Sequence, residues 1–365
     1  MSTVTIARPK QIAPLSAQKQ SSLRPFALLA VLSATVFSGI VIALQVAILA
    51  PYPGTGGDIT MKVLSLITMM GIIATILKIG EVRLMGPSIE RKLESGRSVK
   101  LSDMFNREIR SPAIWGGILQ AVYVLLFVIL ATKLPPTALA SSKACIVFAI
   151  VLVELIVGIL PRGNKRLYMR LAASVVTTFL GAAVVVFANG FELGVSGTYL
   201  WLFLGLLIPG NIALALAEFA EWKGVHKANT AASVYTLARF STYTLTCVTA
   251  MFAWGITHNG FGIFFATINM VIDRWYLMVP ITLFWGITDL IRICVKTVVP
   301  ATYMYVIMSL AVAIDAITQT VAKGISPKIY AYVPGGLHFT LICIVGGLII
   351  TIGAKLFPHP KKVKI

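Results

Sequence analysis

Gly181-Ala-Ala-Val-Val-Val-Phe-Ala188 and Gly346-Gly-Leu-Ile-Ile-Thr-Ile-Gly353 decide the fold of this chain. Each of them closes the last apolar stretch of one half of the sequence, and they lie 165 residues apart. Further upstream, Leu134-Pro-Pro-Thr-Ala138 is echoed by Val298-Val-Pro-Ala-Thr302 at nearly the same offset. Two landmarks that keep one spacing indicate a half used twice, and in an apolar chain such a repeat is typical of transporters.

The composition places the chain in a membrane. Hydrophobic residues make up 58% of it and charged residues 12%, whereas a soluble domain carries about 25% charged residues. A water-exposed surface cannot be built from this inventory, so we expect a multi-pass membrane protein. The four cysteines all fall inside apolar stretches, which favours packing roles over a disulfide framework or a metal site.

Ten apolar stretches are long enough to cross a bilayer, which takes about 20 residues. Proline between the third and fourth stretches, and again between the eighth and ninth, predicts tight helical hairpins at both places. The ten predicted spans are 26–50, 59–80, 112–132, 136–160, 170–189, 198–220, 230–257, 275–295, 298–321 and 335–357.

The net charge of +18 is explained by topology and not by nucleic acid. With the N-terminus in the cytoplasm, most of the lysines and arginines fall in connections on that side, which is the distribution that orients membrane proteins. Both termini are then cytoplasmic. Residues 1–24 are polar and basic and show no cleavable signal peptide. We expect an integral, multi-pass protein of a bacterial inner (plasma) membrane.

A half with five spans must be inverted when it is used twice. The expected fold class is therefore an all-α integral membrane protein with ten transmembrane helices in two inverted five-helix repeats. The expected divisions are a cytoplasmic tail at 1–25, a first repeat at 26–190 with a basic cytoplasmic loop at 84–110, a second repeat at 191–357 and a basic cytoplasmic tail at 358–365.

Two segments fit this plan less simply. Residues 84–110 combine basic and apolar positions, which predicts a surface helix and loop that lies on anionic lipid. Residues 260–272 are apolar but too short to span, so we expect an interfacial or re-entrant piece on the outer side.

The order of these motifs resembles that of the drug/metabolite transporter superfamily in its EamA-like form. The resemblance covers most of residues 26–357 and lies in an aromatic third helix, a Lys-Leu-Pro-type hairpin and a fifth helix with a Gly-Ala-Ala motif. Residues 121–138 with Gly181–Ala188 follow that order, and Lys296-Thr-Val-Val-Pro-Ala301 with Gly346–Gly353 follow it again. The resemblance implies ten helices in two inverted repeats with both termini cytoplasmic.

Arg239 is the first candidate for chemistry, because an ionisable side chain inside a membrane is costly and needs a reason. It faces either an anionic substrate or a neighbouring carboxylate. Asp289 and Arg292 share a helix face at a spacing of three residues and suit an internal ion pair. Glu218 and Glu221 end span six and are expected to be solvated at the cytoplasmic interface. Four of these groups (Glu218, Arg239, Asp289 and Arg292) can form one charge network that serves as a gate or as a site.

Glu154 in span four and Asp315 in span nine are the most isolated acids. A buried carboxyl can bind and release a proton, which couples many carriers to a gradient. The alternative is an acid that is hydrogen-bonded to Ser, Thr or water.

Polar and aromatic side chains complete the expected substrate site, although for the tyrosines packing is the alternative. Pro209-Gly210-Asn211 interrupts span six and is expected to break the helix and expose its backbone. The predicted substrate-binding residues beside Arg239 are Tyr123, Tyr243, Tyr303, Asn211 and Gln45.

No motif of an enzyme, a phosphate loop, a metal site or a cofactor site is present in the sequence. We expect a non-enzymatic secondary carrier of a small, anionic or zwitterionic metabolite, without cofactor or catalytic residue, working by alternating access and coupled to protons. The alternatives are a flippase for a lipid-linked or amphipathic substrate and a structural partner. The expected partners are the substrate and the bilayer, in a monomer or homodimer.

Overall fold

The computed structural model describes residues 17–49, 52–55, 58–93, 97, 99–131, 136–157, 165–187, 197–227, 231–296, 301–325 and 337–357. Every regular element in these ranges is a helix. The α-helices are α1 (Ala17–Leu49), α2 (Ile59–Leu84), α3 (Gly86–Leu93), α4 (Arg107–Ala131), α5 (Pro136–Val157), α6 (Lys165–Phe187), α7 (Gly197–Trp222), α8 (Ala232–His258), α9 (Phe261–Asp273), α10 (Trp275–Lys296), α11 (Ala301–Met308), α12 (Ala311–Ile325) and α13 (Leu337–Leu356). A 3₁₀ turn at Leu101–Phe105 precedes α4, and a π-helical turn at Lys223–Lys227 continues α7.

Four of the described helices contain a segment that is long and apolar enough to cross a membrane. The protein is therefore all-helical in its described ranges and associates with a membrane. These segments are Thr60–Leu84, Arg107–Ile129, Lys165–Val184 and Trp275–Val295.

The described part of each predicted span is helical, with two local differences. The ninth span is two helices, because the chain turns at Ser309-Leu310 between α11 and α12. The Ser309 hydroxyl and the Ser309 N–H both donate to the Tyr305 carbonyl at 2.9 Å, and the Leu310 N–H donates to the Ile307 carbonyl at 3.0 Å. The predicted break at Pro209 was wrong. Helix α7 runs through it, supported by α4, whose Tyr123 and Leu126 lie 3.8 Å from the Cβ position of Gly210.

The helices pack in a regular set of pairs. Helix α6 packs on α13, α2 on α8, α1 on α10 and α4 on α7. Helix α5 contacts α6, α7, α11 and α12, while α1 also contacts α11 and α12. A hydrophobic cluster around Ile146, Val147, Val175, Met304 and Val306 lies where α5, α6 and α11 meet.

Glycines let α6 and α13 approach closely, as their motifs predict. A Cβ on Gly181 would lie 2.7 Å from the carbonyl oxygen of Gly346, and one on Gly353 would lie 2.9 Å from the backbone nitrogen of Thr178. The Ser174 hydroxyl also donates to the Gly353 carbonyl at 2.7 Å. The repeated glycine motifs therefore lie at a backbone contact between the two helices, which only small residues allow.

The segment between α2 and α4 differs in part from its predicted place on lipid. Leu84 and Phe105 are 80% and 75% exposed. Val99, Leu101 and Met104, however, pack against α8 with Val234 and its neighbours, because the start of α8 is itself apolar and needs cover. These three apolar residues therefore cover the protein core and do not lie on the membrane surface.

The same segment also caps the N-terminus of α8. The buried carboxylate of Glu90, on α3, accepts a hydrogen bond from the Ala232 N–H at 3.3 Å. A carboxylate at that place satisfies a free N–H and complements the positive end of the helix dipole.

Helix α9 and the residues beside it contact α2 and the segment around the end of α1. It packs on α2, and the Tyr52 hydroxyl donates a hydrogen bond to Asp273 at its end. This bond raises the pKa of Tyr52. The next residue, Arg274, donates to the Ile48 carbonyl at 2.7 Å and so completes the C-terminus of α1.

Candidate functional site

Arg239 lies near the middle of a buried ion network. It is 2% exposed, and its two terminal nitrogens bind different helices: Nη1 pairs with Glu221 at the end of α7, and Nη2 pairs with Asp289 of α10. The planar guanidinium suits this arrangement, because its donors form a rigid fork that can join two carboxylates. Arg239 thus links α7, α8 and α10.

Arg292, one turn beyond Asp289 on α10, extends the network to α11. It pairs with Glu218 of α7, and its Nη1 lies 3.6 Å from Asp289 Oδ1. The Tyr305 hydroxyl accepts from Arg292 at 2.7 Å and donates to Glu218 at 2.6 Å. The predicted pair of Asp289 and Arg292 exists, but its nitrogen and oxygen atoms, 3.6 Å apart, are farther from each other than those of the Arg292–Glu218 pair.

The expectation that Glu218 and Glu221 are solvated was wrong. They are 4% and 1% exposed. The reason is that the chain does not enter solvent where α7 ends: a π-helical turn continues it, and α4 and α8 pack against that turn. Buried carboxylates require cationic partners, and the two arginines supply them.

Glycines in α4 make room for this arrangement. A Cβ on Gly117 would lie 2.7 Å from the Arg239 carbonyl oxygen, and one on Gly116 would lie 2.8 Å from the Tyr235 hydroxyl. That hydroxyl donates to the Pro112 carbonyl at 3.3 Å. Helix α4 therefore packs backbone to backbone against the turn of α8 that carries Arg239.

Sequence reasoning missed a second ion pair beside the network. Lys78 lies near the end of the predicted second span, where a lysine is expected to reach the interface, but it is completely buried. Its Nζ donates to Glu81 at 2.7 Å and to the Gly286 carbonyl of α10 at 2.6 Å, and it lies 5.4 Å from the centre of the Phe240 ring. The spacing of Lys78 and Glu81 was the available signal, because residues three apart share a helix face.

Glu154 is held by the start of another helix. Its carboxylate accepts a hydrogen bond from the Thr302 N–H at 3.3 Å and another from the Thr302 hydroxyl. Since α11 begins at Ala301, this acid of α5 caps α11 from outside. This contact agrees with the second interpretation of Glu154 given above, an acid that is hydrogen-bonded to Ser, Thr or water. Asp315 belongs to α12, but its side chain lies outside the described residues.

The structure brings only some of the predicted substrate residues together. Tyr243 is buried one turn after Arg239, with its ring 5.5 Å from that of Trp285. Tyr123 faces α7 near the buried Asn211, whose Oδ1 has no hydrogen-bond partner. Tyr303 packs 5.2 Å from Phe357 instead.

Gln45 is also apart from the network. Its amide nitrogen lies 3.9 Å from the Met70 sulfur, in the contact between α1 and α2. In the described ranges no three His, Cys, Asp or Glu side chains are placed to hold a metal ion. The chemistry that the network offers is charge pairing across four helices.

Neither a family model nor a curated protein matches this chain. Eleven chains of known structure resemble it. One of them, known only as the crystal structure of a protein, aligns over 92% of this chain and 99% of its own with a TM-score of 0.54 and 15% identity. At that identity the likeness shows a shared fold and nothing about function.

Proposed function

We propose that this protein is a secondary carrier that moves a small metabolite by alternating access, with the EamA-like architecture of the drug/metabolite transporters. Its ten spans would be α1, α2, α4, α5 and α6 in the first repeat, and α7, α8, α10, α11 with α12, and α13 in the second. In such a carrier two inverted halves rock about a site between them.

The observation that carries this proposal is the symmetry of the helix pairs. The equivalent helices of the two halves are α1 and α7, α2 and α8, α4 and α10, α5 and α11–α12, and α6 and α13. When each helix is exchanged with its equivalent, the contacts α6–α13, α2–α8 and α5 with α11–α12 remain the same contacts. The pair α1–α10 maps onto α4–α7, and the contact of α1 with α11–α12 maps onto α5–α7. All of these contacts occur, as a two-fold exchange of the halves requires, and five spans in each half would put that axis in the membrane plane.

The two extra segments obey the same exchange. The α3 segment follows the second span of its half and packs at the start of α8, while α9 follows the second span of the other half and packs on α2. Inverted halves would put the first at the cytoplasmic face and the second at the outer face. Two unrelated insertions would have no reason to take equivalent places.

The ion network then acts as a gate. Its members from α7, α8, α10 and α11 all lie toward the predicted cytoplasmic ends of their helices, so the pairs hold that end closed. Opening must separate charges that are buried together, which is costly in an apolar surrounding. An anionic or zwitterionic substrate can lower this cost by replacing a carboxylate partner of an arginine.

Transport into proteoliposomes tests the proposal. The purified chain should accumulate at least one member of a panel of labelled anionic, zwitterionic and neutral metabolites above protein-free vesicles. An Arg239→Lys chain, which keeps the charge but loses the fork of donors, provides the comparison, and its transport should be impaired at an equal reconstituted amount. Movement of a fluorescent lipid between leaflets, without transport of any metabolite, would show that the protein is a flippase and not a carrier.

A further inference from the structure

The exposed face of α4, hereafter the α4 stripe, changes from basic to apolar along the helix. Arg107 and Arg110 are exposed in the first turn. Ile114 and Trp115 follow at 36% and 60% exposure, and Val122 is 39% exposed two turns after Trp115. Residues three, four, seven or eight positions apart share a helix face. The five side chains therefore form one continuous exposed surface.

The α4 stripe marks the level of the membrane surface. Tryptophan is enriched at the membrane–water interface, and an exposed valine further along the helix belongs to the hydrocarbon side. At about 1.5 Å per residue, Arg110 and Arg107 lie about 8 Å and about 12 Å from Trp115 along the helix axis, on the polar side. Since the headgroup layer is about 5–8 Å thick, the long arginine side chains are within reach of its charged groups.

The surface that leads into α4 is also basic. Among the described residues between 83 and 110, the exposed side chains include one acid, Glu108, and five bases: Arg83, Arg91, Lys100, Arg107 and Arg110. In the described part of the chain, the guanidinium groups of Arg107 and Arg110 have no ion-pair or hydrogen-bond partner, whereas Arg239 is paired twice. These two donors are therefore available to an anion from outside the protein.

The backbone beneath these arginines is held in place by the protein. Leu101 and Met104 of the 3₁₀ turn pack against the start of α8. The Asn106 carbonyl accepts from the Arg110 N–H at 2.9 Å, and the Asn106 side chain accepts from the Glu108 N–H at 3.3 Å. A surface that is already ordered loses little conformational freedom when a ligand binds, which favours binding.

We propose that the α4 stripe and the exposed bases beside it bind the headgroups of anionic phospholipids. The forked guanidinium suits a phosphate, and each basic residue near an anionic membrane surface strengthens binding about fivefold. A free phosphate ion would meet the same charges, but it would leave Ile114, Trp115 and Val122 uncovered. The acyl chains of a lipid cover them, so the continuity of basic and apolar side chains favours a lipid.

This contact differs from the one that the sequence predicts for residues 84–110. There, apolar residues of the segment were expected to lie on lipid, but Val99, Leu101 and Met104 cover the protein core. The apolar part of the lipid contact is supplied by α4 instead. Because the 3₁₀ turn packs on α8, lipid bound beside it should stabilise the folded chain, as any ligand does that binds only the native state.

Lipid binding by the delipidated full chain in detergent tests the proposal. Phosphatidylglycerol and phosphatidylcholine with the same acyl chains are titrated in parallel, and bound lipid is counted by native mass spectrometry. We expect the parent chain to prefer phosphatidylglycerol and to melt at a higher temperature with it. In the double variant Arg107→Gln/Arg110→Gln the preference should fall by about 20-fold. Arg107→Lys/Arg110→Lys, which keeps both charges, should retain part of it.

Lys223→Gln/Lys355→Gln is the matched control, since both lysines are exposed near the ends of other helices and two positive charges are again removed. It should keep the preference. An equal loss in this control, or no preference in the parent chain, would overturn the proposal. So would displacement of the lipid by inorganic phosphate but not by chloride at the same ionic strength, because the site would then take a free anion. Transport is not measured, so this proposal and the carrier proposal can fail separately.

Discussion

At the residue scale, the main finding is that Arg239 is paired twice by the protein itself. The sequence left two partners open for this residue, the substrate and a neighbouring carboxylate. In the structure both terminal nitrogens bind acids, Glu221 and Asp289. One of those partners was predicted to be solvated, and only the packing of α4 and α8 against the π-helical turn after α7 could show otherwise.

Replacing Arg239 by Ala should destabilise the protein strongly. It leaves two buried carboxylates without their cation, a change that typically costs about 3–5 kcal/mol. Arg239→Lys keeps the charge but loses the fork that reaches both acids, so its loss should be intermediate. Membrane abundance and thermal aggregation of a fluorescent fusion provide the measurement. The control is Arg83→Ala, at an exposed position of α2. Equal stability of Arg239→Ala and Arg83→Ala would contradict a structural role for the ion pairs of Arg239.

The cap of α11 makes a second prediction at this scale. Thr302→Val keeps the shape of the side chain but removes the hydroxyl that donates to Glu154, so it should lower the free energy of unfolding by about 1–3 kcal/mol. Thr249→Val, whose exposed hydroxyl bonds only to its own helix, should change it little. Thermal melting of both variants in one detergent decides the matter. No difference between them would mean that Glu154 does not depend on Thr302.

At the element scale, the close approach of α6 and α13 was predictable and the burial of Lys78 was not. The glycines at the ends of two apolar stretches are local signals, because only small residues allow helices to touch. Lys78 stands near the end of its span, where hydropathy assigns a lysine to the interface. Its acceptor is a backbone carbonyl of α10, which no residue type in the sequence could indicate.

The helix contact itself can be tested with one methyl group. Gly353→Ala would place a Cβ 2.5 Å from the Thr178 hydroxyl and 3.0 Å from the Ser174 carbonyl. Since backbone atoms cannot move aside, we expect a loss of about 1–3 kcal/mol. Gly80→Ala in α2 is the comparison, because its Cβ meets nothing within 4 Å and alanine favours helix by about 1 kcal/mol. If both variants melt alike, the two helices are not in backbone contact.

At the scale of the whole molecule, the repeated motifs and the helix pairs support one architecture from independent directions. The sequence repeat predicts two halves, and their odd number of spans predicts inversion. The pairing of α1 with α10 and of α4 with α7 is what a two-fold exchange of the two proposed halves requires. The sequence did not predict that α3 and α9 take equivalent places, because their lengths and compositions are unrelated and only their positions match.

The proposed inversion has a direct consequence for the two faces of the membrane. Phe105, beside the start of α4, and His258, at the end of α8, are both exposed but should lie on opposite sides. In a chain whose native cysteines are replaced by serine, His258→Cys should react with a membrane-impermeant maleimide in intact cells. Phe105→Cys should react only after the membrane is opened. A permeant maleimide, which should label both, controls for reactivity. Labelling of both from one side would make the halves parallel and exclude the inverted repeat, and with it alternating access by exchange of the two halves.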